Sequence, residues 1–470
     1  MGFVVAIDNG SQSTKVLIVD EGGRVHAFAR VGLRPYETPA PGRSVHPEDD
    51  VWDSIAAACR IAMSRFTGDV ADITAVGLCT IRFCRALLRA DGSLAEPLLS
   101  WMDERVGRAH EPADGVARVT TSSGYVSHRL TGRFTDAAAN YQGVWPIDLE
   151  TWAWSENPEA YERTGMTRDM LSALVEPGGL LGEITRDAAA EMGLPVGLPV
   201  FATANDKAVE ALGAGLDSPD DVLLSLGTYI AAMTVSDSPD SGRDHWSNFG
   251  SRPGQYLAES TGIRRGMWTV SWLRSLVQTS GDGGDDIYAL DRELGEAASA
   301  VPPGCEGIAA VLDWLAPAEA PHRRGGFVGF SGMQGRGHLH RAILEAIAFT
   351  MADHIDAMAE ELGRPFRSVI VTGGGAQSPL LVSIISDVLG LPVRRAGVDD
   401  AAGIGAAVCA AVGSGLHPDW DTAVRAMVGR TEEQPPSAAA EAYGRLRPWH
   451  RGIREQMDAL TSWSAAHLPA

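Results

Sequence analysis

The stretch ANDKAVEALGAG (residues 204–215), followed by DDVLLSLGTYIAAMTV (residues 220–235), decides the fold prediction for this chain. Its first part is rich in alanine and glycine and predicts a short helix with a carboxylate, Asp206, at its start. Its second part predicts two buried strands, 222–226 and 230–235, joined by a tight turn at Gly227 and Thr228. A strand–glycine–hydroxyl–strand unit can point backbone N–H groups at an anion, and a nearby carboxylate can take a proton from an alcohol. Together these features indicate phosphoryl transfer to a hydroxyl group.

A similar pattern opens the chain. VAIDNGS (residues 5–11) is again an apolar strand followed by a glycine and a hydroxyl residue, which indicates a weak internal repeat and a duplicated domain. Apolar runs at 3–7, 16–19 and 25–31 predict three antiparallel strands. The residues after them predict a helix at 47–66 and a buried strand at 73–79. This order predicts an α/β core with a mixed sheet. The small residues AAGIGAA (401–407) predict a helix suited to close packing.

Length and composition limit the class of protein. A length of 470 residues predicts two or three domains, and we place an N-terminal domain at 1–235, a linker at 236–248 and a C-terminal domain at 249–470, with a polar, glycine-rich loop at 280–285. The net charge of −21 argues against binding to nucleic acid or to anionic membranes. No apolar run approaches the roughly 20 residues that span a membrane. The five cysteines form no CxxC pair, which predicts a cytoplasmic protein without a zinc site.

Two polar groups each have a functional and a structural interpretation. The first is a turn that contains Asp8, Gly10, Ser11, Ser13 and Lys15. Its backbone can approach phosphate oxygens while the acid holds Mg²⁺ through water; the alternative is a polar hairpin turn. The second is Asp206, which is either a general base for a substrate hydroxyl or the cap of the helix that it precedes.

Two further groups lie next to predicted strands. Gly373, Gly374 and Gly375, between a strand and a helix, either admit a flat base or ribose against the backbone or form a turn that needs positive φ. Arg82, Trp101 and Asp103 follow strand ends. A tryptophan face flanked by an arginine and an aspartate suits a polyol, which is apolar on its C–H side and polar at its rim. The alternative is an ordinary tryptophan beside a surface ion pair.

Taken in order, these pieces resemble the FGGY family of carbohydrate kinases, within the superfamily of actin-like and sugar-kinase ATPases. The resemblance covers nearly the whole chain, and it is the ordered set of motifs that is specific. The motifs are DNGSQSTK (8–15), DG followed by WMDER (91–105), RLTG followed by TD (129–136), D followed by LGT (206–228), PG-x-x-G (303–307), G-x-x-x-G (325–329), RA-x-x-E (341–345) and TGGGAQS (372–378).

The resemblance implies a fold and a division of roles. It implies two ribonuclease-H-like domains, each with a mixed five-stranded sheet flanked by helices, and a cleft between them. ATP would lie against the C-terminal domain and the sugar against the N-terminal one, and domain closure would exclude water. Asp206 would accept the proton of the sugar hydroxyl. ATP and Mg²⁺ would be bound by Asp8 (through water to the metal), Gly10, Ser11, Ser13, Lys15, Gly227, Thr228, Gly329, Gly373, Gly374, Gly375 and Ser378. The sugar would be bound by Arg82, Trp101, Asp103 and Lys207.

The chain departs from the family pattern on the sugar side. The span 106–128 is short, Gly124 precedes Tyr125 where the family often has aspartate, Lys207 follows the base where Gln or Asn is usual, and CTIRFC (79–84) replaces the common family sequence. The prediction is an ATP-dependent kinase for a small sugar or polyol, such as xylulose or a related polyol, with a homodimer left open. The alternative is a non-catalytic protein that binds nucleotide or sugar on the same scaffold.

Overall fold

In the described part of the chain, two mixed β-sheets have six strands each. A computed structural model describes residues 2–278, 289–317, 319–398, 400–429 and 431–467, so the loop predicted at 280–285 lies outside the described residues. None of the described helices is both long enough and apolar enough to cross a membrane.

The strands are, in chain order, β1 (Phe3–Asn9), β2 (Ser13–Asp20), β3 (Val25–Gly32), β4 (Ile73–Thr80), β5 (Arg85–Leu88), β6 (Arg118–Thr121), β7 (Thr135–Ala137), β8 (Ile147–Asp148), β9 (Ala153–Trp154), β10 (Ala173–Val175), β11 (Leu180–Glu183), β12 (Pro199–Ala202), β13 (Asp221–Leu226), β14 (Ile230–Ser236), β15 (His245–Phe249), β16 (Tyr256–Ser260), β17 (Ala309–Val311), β18 (Gly326–Val328), β19 (Ser368–Thr372) and β20 (Val393–Arg395). The α-helices are α1 (Asp50–Arg65), α2 (Ser122–Thr131), α3 (Pro158–Thr164), α4 (Arg186–Met192), α5 (Asp206–Gly213), α6 (Gly266–Val277), α7 (Ala289–Ser299), α8 (Arg336–Glu361), α9 (Pro379–Leu389), α10 (Ala401–Gly413), α11 (Trp420–Met427) and α12 (Ala440–His467).

The first sheet has the strand order β11-β12-β4-β1-β2-β3. The three strands that open the chain pair antiparallel, as predicted, and β1 and β12 both lie parallel to β4. Every residue of β1 is buried, because helices cover both faces of the strand: Val5 and Ile7 pack in the same core as α1, and Val4 and Ala6 in the same core as α10. A strand covered on both faces needs a continuous apolar run.

The second sheet has the strand order β15-β16-β14-β13-β19-β20 and repeats the pairing of the first. β14 pairs antiparallel with β13 and β16, while β13 and β20 both lie parallel to β19. The turn at Gly227 and Thr228 between β13 and β14 therefore occupies the place that the turn at Gly10 and Ser11 has between β1 and β2. This equivalence confirms the internal repeat.

Each sheet has one strand more than the five that were predicted. The additional edge strands are β11, antiparallel to β12, and β15, antiparallel to β16. Neither has a continuous apolar run: β11 contains Gly182 and a register shift, and β15 begins inside the polar segment 236–248 that was assigned to a linker. Because β13 and β14 belong to the second sheet, the change of sheet lies between Ala202 and Asp221, earlier than the predicted boundary at residue 235.

The helices α5 and α10 pack in a core that both sheets share. That core includes Val4 of the first sheet and Leu223 of the second, together with residues of both helices. A Cβ atom at Gly213 of α5 would overlap the carbonyl oxygen of Ala401, and one at Gly405 of α10 would overlap the carbonyl oxygen of Val209. The backbones of the two helices are thus in direct contact, as the small residues at 401–407 predicted.

Candidate active site

Asp206 is the first residue of α5, and its neighbour Asn205 caps that helix. The Asn205 side chain accepts hydrogen bonds from the backbone N–H groups of Lys207 and Ala208 at 3.2 Å each. The Asp206 carboxylate accepts a bond from the Lys207 N–H at 3.0 Å and interacts with the backbone N–H of Arg82, and its side chain is 24% exposed. Asn205 supplies the principal cap of α5, so the helix does not need the Asp206 carboxylate as its cap.

Two cations act on the Asp206 carboxylate. Burial raises the pKa of Asp206, and the positive charges of Arg82 and Lys207 oppose that rise. Arg82 Nε lies 4.0 Å from Asp206 Oδ1. The Lys207 ammonium instead donates to Glu210 Oε2 and to Ser225 Oγ, each at 2.7 Å. The Lys207 ammonium therefore lies beside strand β13, below the turn at Gly227 and Thr228 (the second glycine turn). The predicted direct contact of Lys207 with the sugar is not supported by these contacts.

Trp101 and Asp103 have different positions. Trp101 is 46% exposed and its side chain lies within hydrogen-bonding reach of Tyr36. The Asp103 side chain is fully buried and accepts bonds from the backbone N–H groups of Ser44 and Arg105 and from the Arg105 guanidinium, at 2.8–3.0 Å. Burial raises the pKa of Asp103, but these bonds outweigh burial and lower the pKa to about 2. Asp103 therefore holds its own loop together, because both of its oxygens already accept bonds from Ser44 and Arg105.

The first polar turn is tied down by internal bonds. Asp8, at the end of β1, accepts a bond from the Lys15 ammonium at 3.2 Å, and the same ammonium lies 3.1 Å from Asp400 Oδ1. Burial raises the pKa of Asp8 to about 7, with Lys15 opposing. The Gly10 N–H donates to the Ser13 carbonyl oxygen at 3.1 Å. Gly10 therefore has no free N–H for a phosphate.

The hydroxyl residues of this turn differ in their contacts. The Ser13 hydroxyl accepts a bond from Arg30 Nε at 3.1 Å, and the Ser11 carbonyl oxygen accepts one from the Tyr36 hydroxyl at 3.1 Å. Ser11 is exposed, whereas Ser13 is buried. Of the two, Ser11 is the one that a ligand can reach.

The second glycine turn packs directly against the Gly373–Gly375 turn. Gly373 has φ +81°, and a Cβ there would come within 2.9 Å of the Leu226 carbonyl oxygen, whereas a Cβ at Gly374 would meet no atom within 4 Å. At Gly375, a Cβ would lie 2.8 Å from the Leu226 side chain. The two turns thus form one backbone surface, and Gly374 is its open position. Such a surface fits the close approach of a phosphate chain or a ribose.

Gly329 and Ser378 have structural contacts of their own. A Cβ at Gly329, where φ is +95°, would overlap the Gly307 carbonyl oxygen, so two glycine segments pack backbone against backbone. The Ser378 hydroxyl caps α9 by accepting a bond from the Leu381 N–H at 3.3 Å.

Among the described residues, no group of three or more His, Cys, Asp or Glu side chains is arranged to hold a metal. A Mg²⁺ ion that binds together with a nucleotide commonly takes phosphate and water as its main ligands.

Several residues at the site were not predicted. Asp400, Glu259, Trp246 and Tyr36 come together with the motif residues through long-range contacts. Glu259 does leave a signal, because it is a charged residue directly after the apolar residues 256–258. The others leave none in their local sequence.

Comparison with known proteins identifies the family. A model of the N-terminal domain of the FGGY family of carbohydrate kinases matches residues 3–111 and 97–213, and a model of the C-terminal domain matches residues 222–414. The chain belongs to the FGGY family of carbohydrate kinases. FGGY kinases are phosphotransferases that act on the hydroxyl groups of small sugars, and they use ATP, generally with a divalent metal.

Individual FGGY relatives agree with this membership. The chain is 44% identical over 430 residues to the uncharacterized sugar kinase YgcE of Escherichia coli (strain K12), which covers 91% of this chain and 87% of that protein. It is 26% identical over 519 residues to the autoinducer-2 kinase of Klebsiella pneumoniae, and the match covers 99% of this chain and 94% of that protein. Its fold matches the crystal structure of xylulose kinase from Rhodospirillum rubrum with a TM-score of 0.83 and 25% identity, covering 98% and 100%. The two-domain FGGY fold is confirmed, and nothing in these matches supports a non-catalytic binding protein.

Proposed function

We propose that this kinase transfers the γ-phosphate of ATP to a hydroxyl of a small sugar or polyol, such as a ketopentose like xylulose, with Asp206 as the general base. The observation that carries the proposal is the position of the Asp206 carboxylate at the start of α5, where Asn205 supplies the helix cap. Burial raises the pKa of Asp206 although Arg82 and Lys207 oppose the rise, and a carboxylate with a raised pKa accepts a proton from an alcohol more readily than one held in a close ion pair. Relatives named xylulose kinase and autoinducer-2 kinase support a small polyhydroxylated acceptor.

The nucleotide is proposed to lie along the paired glycine turns. Backbone groups at Gly227, Thr228 and Gly374 would approach the phosphates and ribose, because no side chain fills the space at these glycines. Mg²⁺, when bound with ATP, neutralises charge on the β- and γ-phosphates. Asp8 would hold that ion through water, as its carboxylate ends a strand beside this cleft. Lys15, held between Asp8 and Asp400, would fix the position of the Asp8 carboxylate.

Water exclusion completes the proposed mechanism. Trp101 and Tyr36 would cover the apolar side of the acceptor, and Arg82 would donate to one of its hydroxyl oxygens. Closure of the domains around both ligands would keep water from competing with the acceptor hydroxyl for the phosphoryl group. The five cysteines are buried and unbridged, which supports a reducing cytoplasmic location where ATP is available.

The test is ADP release with Mg·ATP across a panel of ketoses, aldoses, alditols and glycerol, with Asp206→Asn as the blank. We expect one acceptor or a small group to exceed the rest and the Asn variant to lose at least about a hundredfold in kcat with ATP affinity little changed. Unchanged turnover in Asp206→Asn would refute the assignment of the base. A wild type that binds ATP yet phosphorylates nothing in the panel would favour a binding protein.

A further inference from the structure

Arg82 is bound by the opposite domain. It follows strand β4 of the first sheet, whereas its partner Glu259 lies on strand β16 of the second. Arg82 Nη1 donates to Glu259 Oε2 at 2.7 Å, and Nη2 donates to Oε1 at 2.9 Å. The Glu259 side chain is fully buried and that of Arg82 is 12% exposed. This is a bidentate, charge-assisted pair in the geometry that fixes a guanidinium most firmly.

The faces of the same guanidinium are covered by aromatic rings. The Arg82 Cζ lies 5.1 Å from the centre of the Phe83 ring and 5.0 Å from the centre of the Trp246 ring. Phe83 has φ +65°, a left-handed conformation that an aromatic residue adopts only where its surroundings enforce it. The backbone at 82–83 is thus held in an unfavourable conformation that presents Arg82 to Glu259 and Trp246 of the other domain.

The bonds leave Arg82 with little capacity for an anion. A guanidinium has five N–H donors; two serve Glu259, and the Nε–H faces Asp206 at 4.0 Å. The two that remain can serve an uncharged oxygen, but the positive charge is already matched by Glu259. The other cation that acts on Asp206 is matched in the same way, because Lys207 is paired with Glu210 at 2.7 Å.

We propose, on the basis of the function proposed above, that Glu259 is a specificity-determining residue that makes the acceptor site select uncharged polyols and ketoses and reject sugar acids. A carboxylate on the acceptor would enter a site where Asp206 is itself anionic and where both nearby cations already have carboxylate partners. Such an arrangement discriminates through repulsion and an unpaired charge, not through lost contacts. A hydroxyl or a ketone oxygen carries no charge and needs only the two remaining N–H groups.

Direct binding tests this without requiring turnover. Isothermal titration calorimetry would compare matched pairs of acceptor and acid, namely xylitol with xylonate, arabinitol with arabinonate, and glucitol with gluconate. The proteins would be the wild type, Glu259→Gln, and Asp353→Asn as a matched control. Asp353 also pairs with buried arginine nitrogens, but between α8 and α12, where Arg447 lies 2.9 Å away. Circular dichroism and thermal melting would show that each variant is folded.

We expect the wild type and Asp353→Asn to bind the uncharged member of the preferred pair at least about tenfold more tightly than the acid. In Glu259→Gln, the unmatched Arg82 charge should shrink that ratio about tenfold or invert it. A wild type that binds the acid as tightly as its uncharged partner, or a folded Glu259→Gln protein with an unchanged ratio, overturns the proposal. Failure to phosphorylate an uncharged acceptor that does bind would instead contradict the proposed kinase reaction, so the two failures are distinguishable.

Discussion

The charge of Arg82 should set the pH at which Asp206 becomes active. Two unit charges 4.0 Å apart interact by about 4 kcal/mol at an effective dielectric constant of about 20, which is equivalent to roughly three pKa units. The Asp206 side chain is about one quarter exposed, and the Arg82 charge is offset in part by its partner Glu259, so both solvent and Glu259 reduce this value. We therefore expect Arg82→Gln to raise the pKa of Asp206 by less than the full interaction energy would give.

The sign follows from the role proposed for Asp206. The base must be ionised to accept a proton, so a higher pKa means that activity is lost at a higher pH as the solution is acidified. The assay is the pH dependence of kcat/KM, whose acid limb reports the free enzyme. Its midpoint should move to higher pH in Arg82→Gln, whatever the absolute activity that remains.

Arg82→Lys separates charge from geometry. Because lysine keeps the positive charge, the acid limb of the Arg82→Lys variant should stay close to that of the wild type. Lysine cannot form the bidentate bond to Glu259, so the KM of this variant for the acceptor can rise without a change in the acid limb. An acid limb in Arg82→Gln that coincides with the wild-type limb would refute the reasoning, because Arg82 would then contribute nothing to the ionisation of Asp206.

Two further substitutions test the remaining parts of the site. Gly373→Ala forces a Cβ to within 2.9 Å of the Leu226 carbonyl oxygen at φ +81°, so calorimetry should show that its affinity for ADP falls about tenfold or more. In Gly374→Ala the new Cβ meets no atom within 4 Å, so the affinity for ADP should stay within about threefold of the wild-type value. Equal losses in the two variants would contradict the paired-turn surface. Asp103→Asn removes a buried, charge-assisted bond to Arg105 and should lower the free energy of unfolding by roughly 2–3 kcal/mol in denaturant titrations. In the same variant, the KM for the acceptor should change less than about twofold, and a large rise in KM with full stability would restore Asp103 as a substrate ligand.

The parts of the fold that were predictable from sequence are those built from local pattern. Buried strands with continuous apolar runs, such as β1 and β13, and the glycine turns that follow them are visible in single windows of the chain. The edge strands β11 and β15 were missed because an edge strand has polar residues on its open side and needs no apolar run. Local pattern also cannot tell which sheet a strand joins, so the change of sheet was placed too late.

The contacts at the site that were not expected from the sequence have a common physical cause. Motif spacing identifies a side chain but not its partner, and the partners that decide function are remote in sequence: Glu259 is 177 residues from Arg82, and Asp400 is 385 residues from Lys15. Lys207 was assigned to the sugar because it follows Asp206, yet its long side chain reaches Ser225 on strand β13 of the second sheet. Asp103 was assigned to the sugar because of its motif, yet Arg105 in the same motif occupies it.

The contact between α5 and α10 has a mechanical consequence. Where Gly213 meets α10, the two backbones touch, so that point can rotate but cannot slide without a clash. Asp206 lies seven residues before Gly213 along α5, about 10 Å at 1.5 Å per residue. If the crossing is the fulcrum for domain closure, a rotation of about 10° between the helices carries the Asp206 backbone through about 2 Å. A small rotation about the Gly213 contact would thus be enlarged along α5 into a displacement of the proposed base.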